Sequence, residues 1–116
     1  MSDTIYGGSN VGRRLQKLQR HEELRISCVG REVPIVGQIT IGREKDNTIQ
    51  LDDALVSRHH ALVHKIANDY FVKDLESTNG TFVNETRVPW GKYARLRQGD
   101  VLRIGSTELQ LRSGAR

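Results

Sequence analysis

At 116 residues, 36% hydrophobic and 28% charged, the chain is about one domain long. Leu, Ile, Val and Phe make up about 27% of it, above the roughly 20% below which chains stay disordered. One cysteine, Cys28, excludes an intramolecular disulfide framework, no run approaches the ~18 apolar residues of a membrane span, and the net charge of +4 admits an anionic partner without naming one.

Residues 1–10 hold Gly, Ser, Asn and Thr and offer little to bury. They lack a basic segment followed by an apolar one, so no signal peptide is read and a cytoplasmic setting is expected. Gly7 to Gly12 loosely resembles a phosphate loop but lacks its Lys-Ser/Thr ending and a preceding strand. Val11, Leu15 and Leu18 share a helical face, with Arg13, Arg14, Lys17 and Arg20 elsewhere. Residues 1–23 therefore read as a flexible basic tail with at most one short helix, because isolated short helices are weak in water.

From Leu24 the period changes to two. Leu24, Ile26 and Cys28 alternate with Arg25, Ser27 and Val29, which makes Cys28 a small core residue. Short segments rich in β-branched residues follow: Val33 to Val36, Ile39 to Ile41, Thr48 to Leu51, Ala61 to Lys65, Tyr70 to Val72 and Thr81 to Val83. Val101 to Ile104 and Glu108 to Leu111 end the series. Asn68-Asp69 and Gln98-Gly99-Asp100 read as turns between them. No helical period survives after residue 24. The expected fold is all-β, a sandwich of two twisted, mainly antiparallel sheets over residues 24–112, with 113–116 as a C-terminal tail. Trp90, after Pro89, is expected to pack over an edge of the sandwich, with a partial contact patch as the alternative.

In a sandwich the strands are scaffold and the end loops carry function. Three loops concentrate polar groups: Gly42-Arg43, Val56-Ser57-Arg58-His59-His60-Ala61 and Ser77-Thr78-Asn79-Gly80-Thr81. They supply guanidinium groups, hydroxyls, an amide and turn N–H groups, all donors, which is what a phosphate oxygen requires.

The order Gly42-Arg43, Ser57-Arg58-His59-His60, Thr78-Asn79-Gly80-Thr81 resembles the forkhead-associated (FHA) domain. The flanks agree: Asn47-Thr48-Ile49, Asp74-Leu75-Glu76-Ser77, Asn84 and Gly99-Asp100-Val101. Each motif is weak alone, but the three in this order and spacing, across residues 24–112, are specific. The resemblance implies a β-sandwich that binds phosphothreonine peptides at one end, an adaptor in Ser/Thr kinase signalling rather than an enzyme. It implies that Arg43, Ser57, Arg58 and Thr78 meet the phosphate and that Asn79 bonds the peptide main chain. Leu55 stands where related domains select the side chain three residues after the phosphothreonine. Gly42, His60 and Gly80 stand where the loops are shaped.

Other readings of the same residues are weaker. Ser57 and Thr78-Asn79-Gly80 have plain structural roles as turn residues, which are compatible with binding. His60 and His64 lie too far apart along a strand to share a zinc ion, and no metal-ligand spacing recurs, so neither metal nor cofactor is expected. A Ser57-His60-Asp74 hydrolase lacks the Gly-x-Ser-x-Gly elbow. Nucleic acid is disfavoured, since the 18 basic residues are interleaved with 14 acidic ones. The sequon Asn84-Glu85-Thr86 is a chance match. An alternative keeps the fold and makes the ligand internal: the chain's own tail, phosphorylated at Thr4, docks in the same groove.

Overall fold

The computed structural model describes residues 23–114. The expected tail helix and Thr4 lie outside the described residues.

Eleven strands follow one another without a helix among the described residues. They are β1 (Leu24–Cys28), β2 (Arg31–Pro34), β3 (Gln38–Gly42), β4 (Ile49–Gln50), β5 (Ala61–Ile66) and β6 (Asp69–Asp74), then β7 (Thr81–Val83), β8 (Thr86–Arg87), β9 (Tyr93–Leu96), β10 (Val101–Ile104) and β11 (Thr107–Ser113). One sheet has the order β2-β1-β11-β10-β7-β8 and the other β4-β3-β5-β6-β9. All pairings are antiparallel except β3 with β4, as the sequence leads one to expect.

Alternation builds the core. Leu24, Ile26 and Cys28 of β1, Ile39 and Ile41 of β3, Ala61 and Val63 of β5, and Tyr70 and Val72 of β6 turn inward and are buried. Leu102, Ile104, Leu109 and Leu111 of β10 and β11, in the sheet of β1, face β3, β5 and β6 of the other sheet across it. Burial pushes the Cys28 thiol above its ordinary pKa, against a smaller opposing effect of nearby Arg31.

Several expectations shift: β2 is Arg31–Pro34 rather than Val33 to Val36, and β11 runs through Ser113, where the C-terminal tail is expected to begin. The turn after β5 falls at Ala67-Asn68, and Asp69 opens β6 by pairing with Ile66. Trp90 does not pack over an edge: it is 56% exposed, and Val88, at 1%, takes the buried place beside it. The chain turns at Pro89, whose carbonyl accepts from Lys92 N at 3.2 Å, and this lifts the indole outward.

The strand directions sort the loops onto two ends. β6 runs from Tyr70, whose hydroxyl accepts from Leu24 N at 3.2 Å, to Asp74, from which the 75–80 loop departs. Gly114 N donates to the Glu23 carbonyl, so both ends of the described chain leave together at the Tyr70 end. The 43–48, 51–60 and 75–80 loops lie at the other end, with the turn between β10 and β11.

Candidate functional site

Gly42 closes β3 and Arg43 opens the first loop. That loop lies against the second through Arg43 N to Ser57 O, at 3.0 Å, and Glu44 N to Arg58 O, at 3.2 Å. The approach needs a glycine: a methyl group at position 42 would stand 2.1 Å from the Arg58 carbonyl oxygen, which no side chain can occupy. Buried Asn47 clamps the crossing, its Nδ2 donating to Glu44 O and Arg58 O, each at 2.8 Å.

Arg43 is exposed, yet its guanidinium is fixed. Nε donates to Val56 O at 2.9 Å, which leaves the two Nη groups as an open fork. Gln50 Nε2 holds the Arg43 carbonyl at 3.1 Å. Ser57 Oγ accepts from Thr78 N at 3.2 Å, so its own O–H proton is left to donate. The same contact joins the second loop to the third. Asn79 adds another, Nδ2 to Leu55 O at 2.9 Å. Arg43, Ser57, Thr78 and Asn79 thus belong to one hydrogen-bonded end of the molecule. Arg58 and Thr78 are exposed beside them, and Leu55, 51% exposed, forms an apolar rim.

His60 sits under this surface with 0% exposure. Its Nδ1 accepts from Ser57 N at 3.0 Å, so its Nε2 carries the proton and donates to Gly80 O at 2.8 Å. One neutral imidazole therefore fixes the backbone of two loops. Asp74 supports the third. Its carboxylate takes Ser77 N at 2.9 Å, Ser77 Oγ at 2.6 Å and Thr81 Oγ1 at 2.7 Å, and Ser77 Oγ in turn accepts from Gly80 N at 2.9 Å. The carboxylate lies 3.9 Å from His60 Nε2. A hydrolytic triad does not match this geometry: both imidazole nitrogens are engaged by backbone, and the Ser57 hydroxyl makes no hydrogen bond to the ring.

In the sequence Asn47 stands only as a flanking residue, and Asp74 as a flank and as the acid of the hydrolase reading, not as a loop support. The signal for Asp74 was the alternation Tyr70, Val72, Asp74, which sets a carboxylate on an inward position. Asp53 was not singled out. It ties the second loop to the turn between β10 and β11, accepting from Ser106 Oγ at 2.6 Å, Ser106 N at 2.9 Å and Leu55 N at 2.9 Å. The Ser106 hydroxyl first, then the N–H groups of Leu55 and Ser106, lower its carboxyl to about 2. Among the described residues no group of His, Cys, Asp and Glu is arranged to hold a metal ion, and no helix is long and apolar enough to cross a membrane.

Known proteins resemble the chain in sequence and in fold. The ABC transporter ATP-binding/permease protein Rv1747 of Mycobacterium tuberculosis is 36% identical over 93% of this chain, and the transcriptional regulatory protein EmbR of the same species 39% identical over 74%. The chain spans 12% and 22% of those relatives' own lengths, respectively. Among solved structures, one from a study of phosphothreonine-dependent FHA domain interactions superposes with a TM-score of 0.73 at 32% identity, covering 81% of this chain and 99% of that one. The FhaA FHA domain complexed with the intracellular domain of Rv3910 gives 0.70 at 33% identity, with 77% and 99% covered. A profile described as FHA domain matches residues 39–105. With more than half its length in that match and the loop geometry above, the chain belongs to the FHA domain family.

Proposed function

We propose that the chain is a phosphothreonine-dependent binding module that brings a protein modified by a Ser/Thr kinase to another partner in the cytoplasm, and that it catalyses no reaction. One observation carries this reading. The Arg43 guanidinium is anchored through Nε with its fork open, its loop is bonded to the Ser57 carbonyl, and the Ser57 hydroxyl accepts from Thr78 N. Arg43, Ser57, Arg58 and Thr78 take the phosphate, Asn79 takes the peptide main chain, and Leu55 meets a side chain further along. Gly42, His60 and Gly80 shape the loops. FHA domains in complexes such as that of EmbR with a low-affinity phosphopeptide, similar here at a TM-score of 0.74, support the choice of ligand.

The magnitudes suit reversible signalling. A phosphothreonine carries roughly −1.5 to −2 charges. Each charge-assisted hydrogen bond contributes about 1.5–3 kcal/mol, which must offset peptide ordering and lost rigid-body freedom. Burying the threonine methyl adds about 0.8 kcal/mol, roughly fourfold over phosphoserine. A phosphorylated Thr4 is the same site's internal ligand in the alternative reading.

The test is a titration of phosphorylated and unphosphorylated forms of one threonine peptide into the protein and into Arg43→Ala. Binding should require the phosphate and be lost in Arg43→Ala, with the thermal midpoint unchanged because the side chain is exposed. Equal affinity of the two peptide forms overturns the proposal.

A further inference from the structure

The candidate site leaves one neighbouring cation unused. Arg87 lies on β8, the edge strand of the six-stranded sheet, opposite Phe82 of β7. Its guanidinium is laid against Gly80. A methyl group at that glycine would stand 2.9 Å from Arg87 Nε, 3.1 Å from Cζ and 3.3 Å from Nη2, all inside ordinary carbon contact at about 3.5 Å. The arginine thus fills the volume that a side chain at position 80 would take. Gly80 itself is held by His60 and follows Asn79, so the charge rests on the rim of the third loop.

The nearest acid in sequence is committed elsewhere. Glu85 receives Arg103 Nη2 at 3.0 Å and Nε at 3.2 Å, and that guanidinium also stacks on the Phe82 ring at 4.2 Å. Phe82 pairs with Arg103 on one side and Arg87 on the other, so both arginines share one row across the sheet. One is neutralised. Beyond the strand pairing of its backbone, Arg87 makes no side-chain hydrogen bond, ion pair or ring contact among the described residues. A planar guanidinium lying close to Gly80 with no side-chain partner keeps its fork open to a carboxylate.

We infer that Arg87 is a specificity residue, pairing with an Asp or Glu side chain of the phosphothreonine ligand where the ligand passes Asn79-Gly80. The inference rests on the phosphopeptide reading and goes beyond it by naming a second anionic feature of the ligand. At an exposed pair the gain is modest, about two- to fivefold in affinity.

The experiment is a positional scan. A phosphothreonine peptide with alanine flanks is compared with versions carrying one Glu at each flanking position in turn. All are titrated into the wild type, Arg87→Gln and Arg87→Glu. One position should show tighter binding with Glu in the wild type, no gain in Arg87→Gln and a penalty in Arg87→Glu, and Lys there should reverse the last effect. The all-alanine peptide should bind the wild type and Arg87→Gln alike, which a merely structural Arg87 would not allow. The inference is overturned if Glu gives no gain at any position, if the gain survives in Arg87→Gln, or if Arg87→Gln weakens the alanine and Glu peptides equally. Failure of the underlying reading looks different: the unphosphorylated peptide then binds as well as the phosphorylated one.

Discussion

A serine hydroxyl that accepts one hydrogen bond has its proton free for another acceptor, and Ser57 is in that state through Thr78 N. Ser57→Ala should therefore lose two things, a donor to the phosphate and the tie between the second and third loops. Calorimetric titration should show phosphopeptide affinity weaker by about 1–2 kcal/mol, roughly 5–30-fold. Unchanged affinity would mean that the phosphate does not reach Ser57. At this scale the sequence was legible where a motif has a rigid order: Arg43, Ser57, Thr78 and Asn79 were all nominated, and their loops are bonded to one another. It was mute on how each is held. Nothing in the local pattern says that Arg43 Nε takes the Val56 carbonyl, or that Arg87 reaches the Gly80 backbone, because those contacts join residues from separate strands and loops.

Between residues and the whole lie the loops, and two buried or clamped groups fix them. His60→Ala removes a donor and an acceptor at once, leaving the half-buried Ser57 N and the buried Gly80 O without their partner. The cost should be about 2–4 kcal/mol, seen as a thermal midpoint about 10 °C lower or more, with weaker phosphopeptide binding. A variant that melts and binds like the wild type would remove the imidazole from this account. Asp53 straps the second loop to the turn between β10 and β11, and its carboxyl is lowered to about 2. The unfolded chain, with a carboxyl near 3.9, takes up the proton first. The contribution of the strap is thus complete above about pH 4 and is lost as the pH falls towards 2. Urea unfolding of the wild type and Asp53→Asn should show a gap in stability at neutral pH that narrows across that window; a gap constant with pH would refute the strap. Long alternating strands were readable, whereas β8 and β9 were not. β8 has two residues and no period to detect, and β9, Tyr93-Ala94-Arg95-Leu96, places two exposed side chains and a small one before its buried leucine.

At the scale of the molecule, the sandwich separates where the chain leaves from where the loops gather. β6 crosses that distance in five residues, about 13 Å, from Tyr70 beside Leu24 to Asp74 beneath the 75–80 loop. Glu23 and Gly114 are bonded to each other at the far end. A body attached at either point would start at the end away from Arg43, and this chain spans only 12% and 22% of two of its relatives' lengths. This arrangement was not legible in the sequence, since alternation reports which face a residue takes but not which end of the sandwich a loop occupies. It makes a prediction that local contacts do not. Fusing a bulky folded protein before Glu23, or after Gly114, should leave the dissociation constant for a phosphothreonine peptide unchanged. A short Gly-Ser insertion after Lys45 should abolish binding, because it parts Arg43 and Glu44 from their backbone partners Ser57 and Arg58. Fluorescence anisotropy with one labelled phosphopeptide compares the three proteins directly. If either terminal fusion blocks binding while the loop insertion does not, the ligand enters from the end where the chain leaves, and the three polar loops are not its site.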